Sequence, residues 1–260
     1  MEIKDKIIIV TGGANGIGEA LSRRFAKEGA KAIVVADLAV ERAKEVASEI
    51  GGIGVKMDVT IESDVARVIK ETETKFGQID LFCSNAGIAV LDKPGFSVGA
   101  ATNENWQLSW NINVMAHVYA VRAALPGMIK RKKGHFLITA SAAGLLTQIG
   151  SASYSATKHA AIGFSESLAI MHKDQGIGVS VLCPQAVRTN MIEGEENNAA
   201  TMDGIIEPDE VADCVITGLA DETFLILPHQ VVKTYMNNKV SNYDRWIGGM
   251  NKLKSTLIKN

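Results

Sequence analysis

Seven short apolar runs, each followed by a segment with helical periodicity, predict an α/β protein built on a doubly wound parallel sheet. Two observations carry this expectation. The runs are apolar throughout rather than alternating, as strands covered on both faces are. They also recur strand–helix–strand along the chain, and right-handed crossovers turn that order into helices on both sides of one sheet. No repeat or low-complexity linker interrupts the 260 residues, so residues 1–260 read as one domain.

The expected strands are 7–11, 32–36, 54–57, 81–84, 135–140, 179–183 and 224–227. The expected helices are 16–28, 40–50, 63–76, 103–132, 153–175 and 208–219. The basic run Lys130-Arg131-Lys132-Lys133 closes the fourth helix before Gly134, where cations complement the helix dipole. From His229 the strand signal stops. Trp246, Met250, Leu253 and Leu257 then form one apolar stripe, with Lys252, Lys254 and Lys259 off it. Residues 229–260 are therefore expected to be helical and to dock on the body or on a partner subunit.

Composition narrows the function. A charge of −2 leaves no electrostatic footprint for nucleic acid. Three cysteines without paired spacing indicate neither a disulfide framework nor a zinc knuckle, and five scattered histidines form no metal site. The charged start, Met1 to Lys6, runs into a strand without a signal-peptide pattern, and no apolar run reaches the roughly 20 residues of a membrane span. These readings predict a cytoplasmic protein with a small-molecule partner.

The first strand ends in Thr11-Gly12-Gly13-Ala14-Asn15-Gly16-Ile17-Gly18 and leads directly into a helix. A tight turn, a close-lying pyrophosphate and close helix–strand packing each require a residue without a bulky side chain. The helix N-terminus then offers N–H groups to phosphate. Asp37 closes the second strand 19 positions after Gly18, where a carboxylate would receive the ribose hydroxyls of a dinucleotide. Its charge would repel a 2′-phosphate, and neither Asn15 nor Leu38 supplies a cation, so NAD is expected over NADP. Arg42, one turn into the next helix, is the cation that could oppose this reading, and N-capping of that helix is the alternative role for Asp37.

Tyr154 and Lys158 lie four apart on an expected helix and so share a face. A free phenol has a pKa of about 10. One ammonium about 4 Å away, at an effective dielectric of about 20, supplies about 4 kcal/mol, enough to lower it by about three units. The pair therefore predicts a tyrosine that moves protons near neutral pH.

Together these motifs resemble the short-chain dehydrogenase/reductase family over roughly residues 4–228, with its Rossmann fold. Asp58-Val59 falls where the family holds the adenine, and Asn85-Ala86-Gly87 where it steadies the central sheet. Asn113 matches its helix asparagine. Ser141, 13 residues before Tyr154, matches its serine. The resemblance implies that Tyr154 is the acid/base, that Lys158 lowers its pKa and binds the nicotinamide ribose, and that Ser141 holds the substrate oxygen. Asn113 would order a water beside Lys158. Pro184, Val187 and Thr189 would contact the nicotinamide half, although Gln185 stands where the family has glycine.

The implied activity is hydride transfer between NAD and a secondary alcohol or ketone. Substrate selection is expected from residues 88–103, 142–153 and 191–206, with Leu145, Ile149, Gln185 and Met191 as contacts and residues 190–206 as a closing loop. The apolar content of these stretches favours a hydrophobic substrate. An NADPH-dependent carbonyl reductase and a non-catalytic NAD-binding sensor or scaffold are the alternatives. A homodimer through the two long central helices is expected by resemblance, or else the family's tetramer, which the unusual C-terminus makes doubtful.

Overall fold

The first strand, β1 (Ile7–Thr11), is buried along its whole length, and its alternate residues enter two different cores. The computed structural model describes residues 1–92, 97–194 and 198–257. After β1 come α1 (Gly16–Lys27), β2 (Ala32–Asp37), α2 (Val40–Glu49), β3 (Ile53–Lys56), α3 (Glu62–Phe76) and β4 (Leu81–Ser84). The second half holds α4 (Asn103–Trp110), a π-helical turn (Asn111–Met115), α5 (Ala116–Lys130), β5 (Gly134–Thr139), the short α6 (Ala143–Leu146) and α7 (Ala152–His172). It ends with β6 (Ile177–Leu182), α8 (Pro208–Ala220), β7 (Leu225–Ile226), α9 (Val231–Ser241) and α10 (Tyr243–Leu257).

All seven strands pair in parallel in the order β3-β2-β1-β4-β5-β6-β7. This is the expected doubly wound sheet, and every expected strand is present within two residues of its bounds. The order reverses between β1 and β4, and such a reversal opens a crevice at the carboxyl ends of the strands. Ile8 and Val10 face one core with Leu21, Phe25, Val211 and Val215 from α1 and α8. Ile7 and Ile9 face the other with Val68, Ala124, Met128 and Leu168 from α3, α5 and α7.

Two departures matter for the site. The expected helix 103–132 is a long helix interrupted by the π turn at Asn111–Met115. By length and hydropathy it could cross a membrane, but 44% of that apolar window is buried, and Val121, Ala124 and Met128 fill the second core. It behaves as a core helix. The C-terminal segment forms two helices, α9 and α10, and none of the described residues of α10 is buried.

Phe136 is wholly buried in β5 with its ring against Phe82. Phe136→Ala is expected to destabilise the protein by about 3–5 kcal/mol, through lost transfer energy and a cavity at the sheet centre. Urea unfolding followed by circular dichroism checks this, and a loss under about 1 kcal/mol would contradict the packing.

Candidate active site

The turn after β1 lies against the turn after β4 so closely that side chains are excluded. A Cβ on Gly12, whose φ is +62°, would stand 2.9 Å from the Ala86 Cα, and one on Gly18 would stand 2.0 Å from the Gly12 carbonyl oxygen. Gly16, at φ +52°, faces the Thr189 methyl, which a Cβ would meet at 2.8 Å. The result is a bare backbone cradle at the head of α1, between Ile17 and Thr189. Asn15 precedes the helix in extended conformation and makes no side-chain cap bond. Asn85 ties the seam: its amide nitrogen donates to the carbonyls of Thr11 and Gly12, and its side-chain oxygen accepts from the Thr139 hydroxyl. The backbone N–H groups of Asn85 and Ala86 donate to the Thr11 hydroxyl.

Asp37 ends β2 beside this cradle. One carboxylate oxygen accepts from the Ala14 N–H at 3.1 Å and the other from the Ala39 N–H at 2.9 Å. Each oxygen can accept a second bond, so the carboxylate anchors the glycine turn and keeps capacity for two hydroxyls. The helix-cap role does not apply, because the cap residue of α2 is Ala39 and it lacks a side-chain bond. Arg42 pairs with Glu19 at 2.9 Å and Glu45 at 3.1 Å, so its charge is already matched. Leu38 is largely exposed beside Asp37. Asp58 binds the Thr60 amide and hydroxyl, while Val59 packs on the core under α3.

These features fit a dinucleotide. The turn that admits no side chain lies at the crevice, with Asp37 and Leu38 beside it. At the other end, Val187 bridges Ile206 in parallel register; the Arg188 N–H donates to the Ile206 carbonyl, and the Ile206 N–H donates to the Ala186 carbonyl. That pattern directs the Val187 peptide groups away from Ile206. Pro184 serves a supporting role through its carbonyl, which accepts from the Ala142 N–H and the Ser141 hydroxyl.

Beyond the cradle, Ser141 stands two residues past the end of β5, and α7 presents Tyr154 and Lys158 one turn apart. Lys158 is buried. Its ammonium donates to the Thr139 carbonyl at 3.0 Å and stands 5.6 Å from the centre of the Tyr154 ring. Burial lowers the Lys158 pKa to about 8, so it remains mostly charged at neutral pH. Burial also pushes the Tyr154 phenol up, partly offset by the adjacent Ser141 hydroxyl. The expectation of a phenol lowered by its lysine is thus corrected for the protein alone. Removing the phenolate from water costs more than the Ser141 hydrogen bond recovers.

Asn113 sits in the π turn, fully buried. Its side chain accepts from the Ile88 N–H and donates to the Ile88 carbonyl and the Thr157 hydroxyl. Gly87 lies just above this pair: a Cβ there would stand 3.2 Å from the Lys158 Nζ and 3.3 Å from the Asn113 side-chain oxygen. His117, which the sequence reading passed over, is buried one turn beyond Asn113 with Nδ1 at 2.7 Å from the Ser84 hydroxyl. Burial and the Lys158 charge hold its pKa at about 3, so it is neutral.

A cavity of about 960 Å³ reaches Ser141 and Tyr154. Of the expected substrate contacts, Ile149, Gln185 and Met191 line it. Leu145 does not; it packs against the apolar clusters of Ala161 and Ile162 and of Ala142 and Val232, and the neighbouring Leu146 takes the cavity position instead. The reason is local: α6 is a single turn, and Leu145 and Leu146 leave it on different sides. Gln185 donates to Asp203, which also accepts from the Tyr235 hydroxyl, linking the turn after β6 to α9. Of the expected closing loop, Met191, Ile192, residues 198–200, Met202 and Asp203 border the cavity, while Glu195, Glu196 and Asn197 lie outside the described residues. The remaining wall is α10, through Trp246, Met250, Leu253 and Leu257. The apolar stripe signalled a buried face, but not that the face borders a cavity.

Comparison with known proteins agrees with this geometry. Residues 6–200 match the sequence model of the short chain dehydrogenase family. The chain is 32% identical to meso-2,3-butanediol dehydrogenase of Serratia marcescens, over 82% of this chain and 86% of that protein. It is 31% identical to 1-deoxy-11-beta-hydroxypentalenate dehydrogenase of Streptomyces exfoliatus, over 95% and 91%. In fold it is similar to a short chain dehydrogenase/reductase from Burkholderia phymatum crystallised with NAD, with a TM-score of 0.84 at 24% identity, over 94% of this chain and 96% of that one. With the strand order, the glycine cradle and the Ser141, Tyr154 and Lys158 arrangement already in place, these matches make the chain an oxidoreductase of the short-chain dehydrogenase family.

Proposed function

We propose that the protein transfers a hydride between NAD and a hydrophobic secondary alcohol or its ketone, with Tyr154 as acid/base. The observation that carries this reading is that one cavity reaches the Tyr154 and Ser141 side chains while Lys158 stands behind them. NAD bound in the glycine cradle would supply the hydride acceptor. Ser141 would hold the substrate hydroxyl against Tyr154 and stabilise charge growing on that oxygen. Tyr154 would take the hydroxyl proton as the carbon–oxygen double bond forms and the hydride departs from the same carbon. Lys158, still charged at neutral pH, would favour the phenolate at that moment. Asn113 would hold its end of α7 in place through Thr157 and order water near Lys158.

Gly12, Asn15, Gly16, Ile17 and Gly18 would receive the diphosphate. Asp37 and Leu38 would flank the adenosine ribose, Asp58 and Val59 the adenine. Asn85, Ala86 and Gly87 would form the floor, with Val187 and Thr189 beside the nicotinamide amide. NAD is favoured over NADP because the carboxylate of Asp37 occupies the ribose end and the nearby Arg42 is already engaged by two glutamates. The apolar cavity supports a hydrophobic substrate. Three free thiols support a reducing compartment such as the cytoplasm. Exposed Leu108 and Trp110 on α4, and Ile170 and Met171 on α7, support a homodimer through the central helices.

Four expectations follow from this reading. Tyr154→Phe should lower alcohol oxidation by at least about 100-fold while NAD affinity stays within about threefold, measured by reduced-nicotinamide absorbance and by calorimetry. Because burial raises the phenol pKa and oxidation needs the phenolate, wild-type oxidation should accelerate as pH rises through neutrality toward the Lys158 pKa of about 8; a flat profile there would remove Tyr154 as the base. Asp37→Ser should weaken NAD binding by about tenfold or more and narrow the preference over NADP; unchanged NAD affinity would overturn that role. Sedimentation at micromolar concentration should give a dimer that Ile170→Glu with Met171→Glu converts to monomer; a wild-type monomer would reject the interface.

A further inference from the structure

The C-terminal helix α10 presents its apolar stripe to open space. Trp246, Met250, Leu253 and Leu257 recur every three or four residues on one side of it, and that side borders the cavity. Among the described residues of α10, Trp246 alone also reaches a core cluster, that of Ala142, Leu146 and Val232. Its principal neighbour among the described elements is α9. A 15-residue helix is marginal by itself in water, and a stripe of this kind requires a covering partner.

Gly249 lies in the middle of α10 and lines the same cavity. A Cβ added there would meet nothing within 4 Å. Among the described residues no packing explains this glycine, which costs about 1 kcal/mol relative to alanine inside a helix. Its effect is to deepen the cavity. Across from α10 the wall carries Leu146, Ile149, Met191 and Met202. Ser141 and Tyr154 line the same cavity, so a ligand that covers the α10 stripe can extend to those hydroxyls.

We propose that α10 is the substrate-selecting wall and that the substrate is a lipophilic secondary alcohol or ketone with an apolar body of roughly ten carbons or more, clasped between α10 and Leu146. This rests on the hydride-transfer reading above. At about 960 Å³ the cavity is near the upper end of ligand pockets, which run from about 300 to 1,000 Å³. A four-carbon substrate would leave most of that apolar wall uncovered.

The test is a homologous series of 2-alkanols from 2-butanol to 2-dodecanol with NAD. Each buried methylene adds about fourfold to binding, so kcat/KM should climb by several-fold per carbon over much of the series. Leu253→Ser, and Gly249→Leu, which adds a side chain into open space, should each cut the ratio of kcat/KM for 2-dodecanol over 2-butanol by about tenfold or more. A flat series in the wild type, or variants that scale all lengths equally, would overturn the proposal. Calorimetric binding of 2-dodecanone and 2-butanone to the NAD-saturated protein separates the two readings. Tighter binding of the long ketone, lost in Gly249→Leu, supports the α10 wall even if no alcohol is oxidised, an outcome that would refute hydride transfer alone. Equal binding of both ketones would refute the wall.

Discussion

An amine enclosed at the carboxyl edge of the sheet is the constraint on which the candidate site depends. Lys158 has one hydrogen bond among the described residues, to the Thr139 carbonyl, and its cation lies beside the Tyr154 ring. Burying a charge with so few partners is costly. Burial of the amine lowers its pKa to about 8. The surrounding groups are arranged around that cost. Gly87 leaves room for the ammonium, and His117, within reach of its field, is held neutral. Cys183, also buried nearby, keeps its thiol protonated, with burial raising its pKa to about 12. The two hydrophobic cores on either side of the sheet supply the stability that such a site draws upon.

The same constraint explains why Tyr154 is not a ready base in the protein by itself. Burial favours a neutral phenol despite the Ser141 hydroxyl, because the site is drier than the surface helix for which the simple Coulomb argument holds. Pairing of Tyr154 and Lys158 is correctly inferred from their spacing. The sign of the resulting shift depends on desolvation, and a spacing of four residues carries no information about burial. A dry site is then an asset for hydride chemistry, since charges placed in it act more strongly than in water.

Much of the fold was legible because its parallel strands are apolar throughout and its helices are periodic. The glycine turn and Asp37 were legible because their constraints are local: a turn without side chains, and a strand end nearby. Leu145 was misplaced since α6 is a single turn, too short for periodicity to assign its faces. The pairing of Arg42 with Glu19 joins two helices 23 positions apart, beyond the reach of any local pattern. The role of α10 was partly visible, for the stripe of Trp246, Met250, Leu253 and Leu257 marks a face that needs cover. Whether that cover is protein or a cavity is decided by where α9 sets the helix down.

The π turn at Asn111–Met115 has a consequence for the whole 103–130 stretch. One additional residue in a turn shifts the phase of everything after it by about 100° relative to an unbroken α-helix. The segment before the turn rests on α7, whereas the segment after it rests on α3 and on β4 and β5. A single continuous rod can thus serve two differently oriented surfaces. Asn113 falls at the point of changeover, aimed inward at Ile88 and Thr157, so the irregularity that lets the rod change partners is also what delivers this asparagine to the interior.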